Sequence, residues 1–266
     1  WATYYGGAGE DYSYVVDQDS DGEIYLVGQS SSVANIAAGG FQNVYGNGGY
    51  DAFLVKFSVA GLFIWGSYYG GTDQDLGYGL VVDGNDNIII TGWAGGGYAV
   101  GVMSTAGAHQ PTSGGAWDAF LAKFDGGGNR LWGTYFGGGQ DDRANLVTVD
   151  NNNNIYLTGE TRSPNNIAYN NFHMGAFQGG TWDAFLSKFD PNGTIVWSSY
   201  IGGTAEDRSF GVEYDGAQHV VITGHTYSNT GFSTAGAYQL ANNGGGDGFI
   251  CRFDLDGNIS WKTYFG

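Results

Sequence analysis

Short apolar runs alternate with polar turn clusters along the whole chain, and within each run successive positions are apolar rather than every second one. One stretch shows the pattern: Asn145–Val149, Ile155–Thr158, Asp183–Phe189 and Ile195–Ile201 are β-rich runs that predict four strands. The first two are joined by Asp150 and four asparagines, the last two by Asp190-Pro191-Asn192-Gly193. Both links are short and hold residues that tolerate turn dihedrals, so both read as hairpins. A loop of about twenty residues joins the middle pair. Helix is not predicted. Only 140–158 and 160–174 run fifteen residues or more without glycine; the first is β-patterned and the second contains Pro164. Strands apolar at both alternating positions require cover on both faces.

The pattern repeats. Trp1, Trp65, Trp132, Trp197 and Trp261 each open W-x-[ST]-Y-[YFI]-G, at intervals of 64, 67, 65 and 64 residues. Asp51-Ala52-Phe53-Leu54 returns at Asp118, Asp183 and Asp247, and Ile24-Tyr25-Leu26-Val27-Gly28 returns at Ile88, Ile155 and Val220. Three markers in one register define a unit of about 65 residues that cannot cover its own faces. The fold class expected is therefore all-β: a β-propeller of four-stranded antiparallel blades over 8–71, 72–138, 139–203 and 204–266. Residues 1–7 supply an extra outer strand, so the chain is either a four-bladed ring with a spare strand or part of a longer array. A spare strand can pair with a neighbouring molecule. Lys56, Lys123, Lys188 and Arg252 align in the third strands and are expected to pair with acidic groups at blade edges or between blades.

The pattern W-x-x-Y-x-G-G, then N-I-Y-L-T-G, G-A-x-Q and D-A-F-L-x-K-F resembles the SBBP β-propeller repeat. It is carried here by Tyr4-Tyr5-Gly6-Gly7, Gly107-Ala108-His109-Gln110 and Trp182-Asp183-Ala184-Phe185. The resemblance implies secreted or cell-surface modules of bacteria and hence an extracellular setting.

Composition narrows the partners. There are 26 acidic and 9 basic residues, net −17, and no Lys/Arg cluster in the sequence, which argues against nucleic acid and anionic membrane surfaces. No apolar run is long enough for a transmembrane helix. The lone Cys251 sits where other repeats carry Val55, Ala122 and Ser187, so it reads as a small strand residue. H-E-x-x-H, G-x-S-x-G and phosphate-loop signatures are missing, so the expected role is non-catalytic. The first alternative is a structural subunit of an extracellular assembly joined by strand pairing at the chain ends, and the second a carbohydrate-active enzyme using two carboxylates.

Candidate residues come from the long loops (30–50, 94–117, 162–182, 227–246) and the links between blades, which are expected on one face. Trp93, Tyr98, Tyr169, His173 and Tyr227 have no strict counterparts in the other repeats. Aromatic faces beside polar groups suit a pyranose, so these five are the candidate glycan- or protein-binding residues of an adhesion scaffold. The repeated Phe41-Gln42, His109-Gln110, Phe177-Gln178 and Tyr238-Gln239 read as a folding need of each loop. Asp11, Asp75, Asp142 and Asp207 are candidates for calcium, as is the D-x-D-x-D-G turn at Asp17–Gly22, although Gly28 stands at its twelfth position.

Overall fold

A computed structural model of the chain describes residues 1–96, 101–170 and 173–266. All regular structure among them is β. The sixteen strands are β1 (Asp11–Gln18), β2 (Ile24–Ser30), β3 (Asp51–Phe57), β4 (Phe63–Tyr69), β5 (Asp75–Val82), β6 (Ile88–Gly95), β7 (Trp117–Phe124), β8 (Arg130–Phe136), β9 (Asp142–Val149), β10 (Ile155–Thr161), β11 (Asp183–Phe189), β12 (Ile195–Ile201), β13 (Asp207–Tyr214), β14 (His219–Thr226), β15 (Asp247–Asp254) and β16 (Ile259–Phe265). They form four antiparallel four-stranded sheets, each taking its strands in chain order. Two compact units result: Trp1–Phe136 holds the first and second sheets, Gly137–Gly266 the third and fourth.

Within each unit, one sheet covers the next. In the first unit Tyr25, Val27, Leu54, Trp65 and Tyr69 pack on Leu80, Ile88, Ile90, Phe120 and Phe124. In the second, Tyr156, Leu186, Trp197 and Ile201 pack on Val212, Ile222, Phe249, Cys251 and Phe253. This is why both faces of a strand are apolar: each fully buried Phe or Leu contributes about 1.5–3 kcal/mol only when the neighbouring sheet covers it. Cys251 is wholly buried, and burial pushes its thiol up to about 12, so it is an inert core residue.

The aligned basic residues tie turns to sheets. Lys123 Nζ lies 2.7 Å from Asp83, Arg252 Nη2 2.8 Å from Asp215, and Lys56 pairs with Asp19 and Glu23. Lys188 departs from the expected pairing and donates to the Leu255 carbonyl at 2.9 Å. The turn at Asp17–Gly22 is closed from within: Asp19 accepts from the amides of Asp21 and Glu23 and from the Tyr25 hydroxyl. The same closure recurs at Asp83, Asp150 and Asp215, so Asp19 serves a hairpin.

Two expectations are corrected. Residues 1–7 belong to none of the sheets; they lie against the first sheet in the place an outer strand takes against the following one. Trp1 Nε1 donates to Val59 O as Trp65 Nε1 does to Gly126 O, and the Tyr5 hydroxyl donates to Ile36 O as the Tyr69 hydroxyl does to Met103 O. The long loops also do not stand out from a face. Each folds back along the outer strand of its own sheet, as in Ala38 with Gly66, Thr105 with Gly133, Tyr169 with Ser198 and Thr234 with Lys262. Loops rich in glycine and small polar residues satisfy their backbone there, on the open edge of the outer strand.

Candidate functional site

Each sheet begins its first strand with an aspartate, and all four candidate metal residues occupy that place. Asp142 accepts from the Gly138 amide at 2.6 Å, the Ser163 hydroxyl at 2.8 Å and the Thr161 hydroxyl. Asp207 repeats this with Gly203, Ser228 and Thr226, and Asp11 with Gly7, Ser32 and Ser30. Asp75 accepts from the Gly71 amide at 2.7 Å. Asp75, Asp142 and Asp207 are fully buried. Donors already aimed at the carboxylates make these residues clasps between the incoming chain and the end of the second strand. Among the described residues, no group of three or more His, Cys, Asp or Glu is placed to hold a metal ion.

Next to each clasp the repeat stops being a repeat. A glycine near the end of the second strand (Gly28, Gly92, Gly159, Gly224) lies so close to the first strand that a β-carbon would strike the carbonyl of Tyr12, Leu76, Arg143 or Arg208. At this approach the first strand carries a β-bulge. The residue after the glycine is paired across the strands with that same carbonyl's owner: Gln29 with Tyr12, Trp93 with Leu76, Glu160 with Arg143, His225 with Arg208. The residue before the third-strand aspartate (Asp51, Asp118, Asp183 or Asp247) completes each set: Tyr50, Trp117, Trp182 and Gly246. The aspartate and the glycine are constant, the hydroxyl is present in three sheets and replaced by Ala94 in the second, and the side chains held there differ in every sheet.

In the first unit these side chains are aromatic. Tyr14 stacks on Tyr78 with ring centres 4.7 Å apart, Tyr78 lies parallel to Trp93 at 6.3 Å, and Trp93 meets Trp117 edge-on at 4.6 Å. Tyr12 leans on Tyr50, whose hydroxyl donates to Glu10. Tyr12 and Tyr14 are both 45% exposed.

In the second unit the set is ionic. Glu160 is 3% exposed, with Oε1 3.5 Å from Arg208 Nη1 and 3.7 Å from Arg143 Nη1. Arg208 Nε lies 2.9 Å from Glu206, and Arg162 donates to Asp141 at 3.1 Å. The guanidinium groups of Arg143, Arg162 and Arg208 surround the buried Trp182 ring at 5.0, 4.8 and 5.3 Å. Burial pushes the Glu160 carboxyl above the usual range, and Arg208 and Arg143 oppose the shift. His225 sits between Phe210 and Tyr227, 5.3 and 5.6 Å away.

Of the five aromatic candidates, Trp93 lies inside β6 rather than in a loop and belongs to the first set. Tyr227 follows β14 and flanks the second. Tyr169 and His173 are carried by the returning loop, where Tyr169 pairs through its backbone with Ser198 on β12. They belong to neither set. Tyr98 lies outside the described residues. Arg143, Glu160, Trp182, Arg208 and His225 were not among the candidates. The signal for Arg143, Glu160, Arg208 and His225 is a change of residue type between fixed neighbours: D-x-[small] in the first strand and G-x-[Ser, Thr or Ala] in the second.

Comparison with known proteins follows the same lines. The chain is 26% identical over 211 residues to the "Regulatory protein FlaEY" of Caulobacter vibrioides, covering 76% of this chain and 21% of that protein. It is 24% identical over 264 residues to the "Uncharacterized WD repeat-containing protein L264" of Acanthamoeba polyphaga mimivirus, covering 84% of this chain and 19% of that one. It thus spans about a fifth of the length of these relatives. Residues 131–168, from the outer strand of the second sheet to the returning loop of the third, match the model of the SBBP β-propeller repeat family.

Proposed function

We propose that this chain is a non-catalytic β-propeller scaffold, secreted or displayed at a cell surface, that binds glycan through the variable side chains held between its constant clasps. One observation carries the reading: the clasp aspartate and the close-approach glycine are the same in all four sheets, while the residues at the first-strand bulge and beside the second-strand glycine are not. The aromatic row Tyr14–Tyr78–Trp93–Trp117 offers ring faces for sugar C–H groups, with Gln29 and Glu10 as polar neighbours. A glycan array followed by titration calorimetry tests it. Tyr14→Ala is expected to weaken binding about tenfold and to change unfolding free energy by less than about 1 kcal/mol, because Tyr14 is half exposed. An array without any bound glycan ends this reading.

A second reading has its own observation. A cavity of about 410 Å³ opens beside residues 1–7, lined by Trp1, Tyr5, Val16, Ile24, Leu26, Phe53 and Phe57. Ile24 and Leu26 are half-buried there, whereas the equivalent Ile88 and Ile90 of the second sheet are completely buried by the first. An apolar face of this kind suits self-association into an extracellular assembly. Sedimentation velocity across a hundredfold concentration range is expected to show reversible oligomers that Val16→Glu abolishes, because Val16 lines the cavity and is exposed. A concentration-independent monomer excludes them.

A further inference from the structure

Three sheets carry a polar residue directly after the second-strand glycine, and each has one buried atom with no hydrogen-bond partner: Gln29 Oε1, Glu160 Oε2 and His225 Nε2. The fourth carries Trp93 at that position. Buried polar atoms are normally satisfied, and leaving one unmade costs about 1–3 kcal/mol. Repetition at one register, by three different side chains, shows that the backbone directs this position where the protein supplies no partner.

The second unit holds two such atoms in one chain of contacts. Glu160 Oε1 faces Arg208 Nη1 at 3.5 Å, Arg208 Nε faces Glu206 Oε1 at 2.9 Å, and that oxygen lies 3.7 Å from His225 Nε2. Beside them, Phe210 and Tyr227 flank the His225 ring and are 49% and 50% exposed. Arg143, Arg162 and Arg208 are set against Asp141, Glu160 and Glu206, so the formal charges balance. Balance disfavours an anion, which would meet Glu160 and Glu206, and a metal cation, which would meet three guanidinium groups.

We infer that Glu160 and His225, joined through Arg208 and Glu206, form a subsite for two hydroxyl groups of a neutral pyranose, with Tyr227 and Phe210 against its C–H face. A sugar hydroxyl both donates and accepts, so one hydroxyl gives its proton to Glu160 Oε2. A second hydroxyl serves His225 Nε2 in either tautomer. The ring C–H groups lie on an aromatic face. This rests on the glycan-binding reading above and assigns it a second, chemically distinct site.

Saturation-transfer NMR and calorimetry with methyl glucopyranoside, galactopyranoside and mannopyranoside, and with the corresponding oligosaccharides, test the subsite. At least one neutral sugar is expected to bind. Tyr227→Ala and Glu160→Gln should each weaken it about tenfold or more, while Tyr14→Ala in the first unit leaves the site unaffected. Deoxygenation of either engaged hydroxyl should cause the same loss. Tyr227 is half exposed, so its variant keeps the test open if Glu160→Gln fails to fold. Sugar binding unchanged by both variants overturns this subsite and leaves the first-unit reading standing, whereas no sugar binding to the parent protein overturns both. A uronic acid bound more tightly than its neutral parent, or binding that requires calcium, also overturns it.

Discussion

Gly159→Ala is expected to destabilise the second unit by about 3 kcal/mol, although it adds one methyl group to a strand. The added β-carbon meets the Arg143 carbonyl oxygen head-on and comes within 2.9 Å of the Ala144 α-carbon. Both obstacles are backbone, so no side chain can turn aside. The bulge sits at this contact, where the register shifts between Thr158 and Gly159. Relief therefore requires moving β9 away from β10, and the Asp142 clasp with Thr161 and Ser163 opens with it. Urea unfolding measures the loss. Gly139→Ala is the control: nothing lies within 4 Å of its β-carbon, and a change within about 0.5 kcal/mol is expected. Equal stability for both variants would show that β9 and β10 do not approach as described. Because Arg143 and Glu160 face each other across the same contact, Gly159→Ala should also weaken any ligand of the second unit.

This glycine also marks the limit of what the chain discloses before it is folded. The Trp-, Asp- and Ile-led markers repeat in register, and the sheets follow from them because a strand apolar on both faces has few ways to be covered. A bulge adds one residue to one strand and reverses the side-chain alternation beyond it. Tyr14, Tyr78, Asn145 and Phe210, at or next to the four bulges, therefore look like ordinary strand positions in the sequence. Trp93 stood out because a large aromatic interrupts a series of polar residues. Glu160 and Arg208 did not, since charged residues near strand ends usually face solvent. Their burial depends on Trp182, 22 residues from Glu160, which no local pattern connects to them. The long loops were misplaced for another reason. Their glycine and small polar residues carry no period, and only the open edge of each outer strand fixes where they lie.

The largest pH effect is expected from the aspartate that opens the third strand of a sheet. Asp183 is fully buried, accepts from the Gln178 amide at 2.6 Å, and leaves Oδ1 without a partner. A β-carbon on Gly202 would stand 3.0 Å from both Asp183 Oδ1 and Asp207 Oδ2, so carboxyl groups from successive sheets face each other across bare backbone. Burial, reinforced by the Asp207 charge, pushes Asp183 up to about 8; burial pushes Asp51, its counterpart in the first unit, up to about 7. A pKa raised by folding means that the folded protein holds a proton the unfolded chain has already lost. The stabilisation is complete below the ordinary aspartate pKa of about 4 and is lost as pH rises through the folded values. Between those limits each such group removes up to about 1.4 kcal/mol per pH unit. Thermal unfolding of the parent protein is therefore expected to weaken steadily from pH 5 to pH 9. Asp183→Asn keeps the acceptor for Gln178 and offers Asp207 an N–H in place of the acid proton. It should match the parent near pH 5, exceed it at pH 9, and flatten the slope between. The remaining slope belongs to Asp51 and to the coupled titration of the other buried aspartates, Asp118 and Asp207. A parent protein equally stable at both pH values, or an Asp183→Asn variant weaker than the parent at pH 9, would mean that Asp183 is ionised in the fold and that the two sheets meet through a charge rather than a proton.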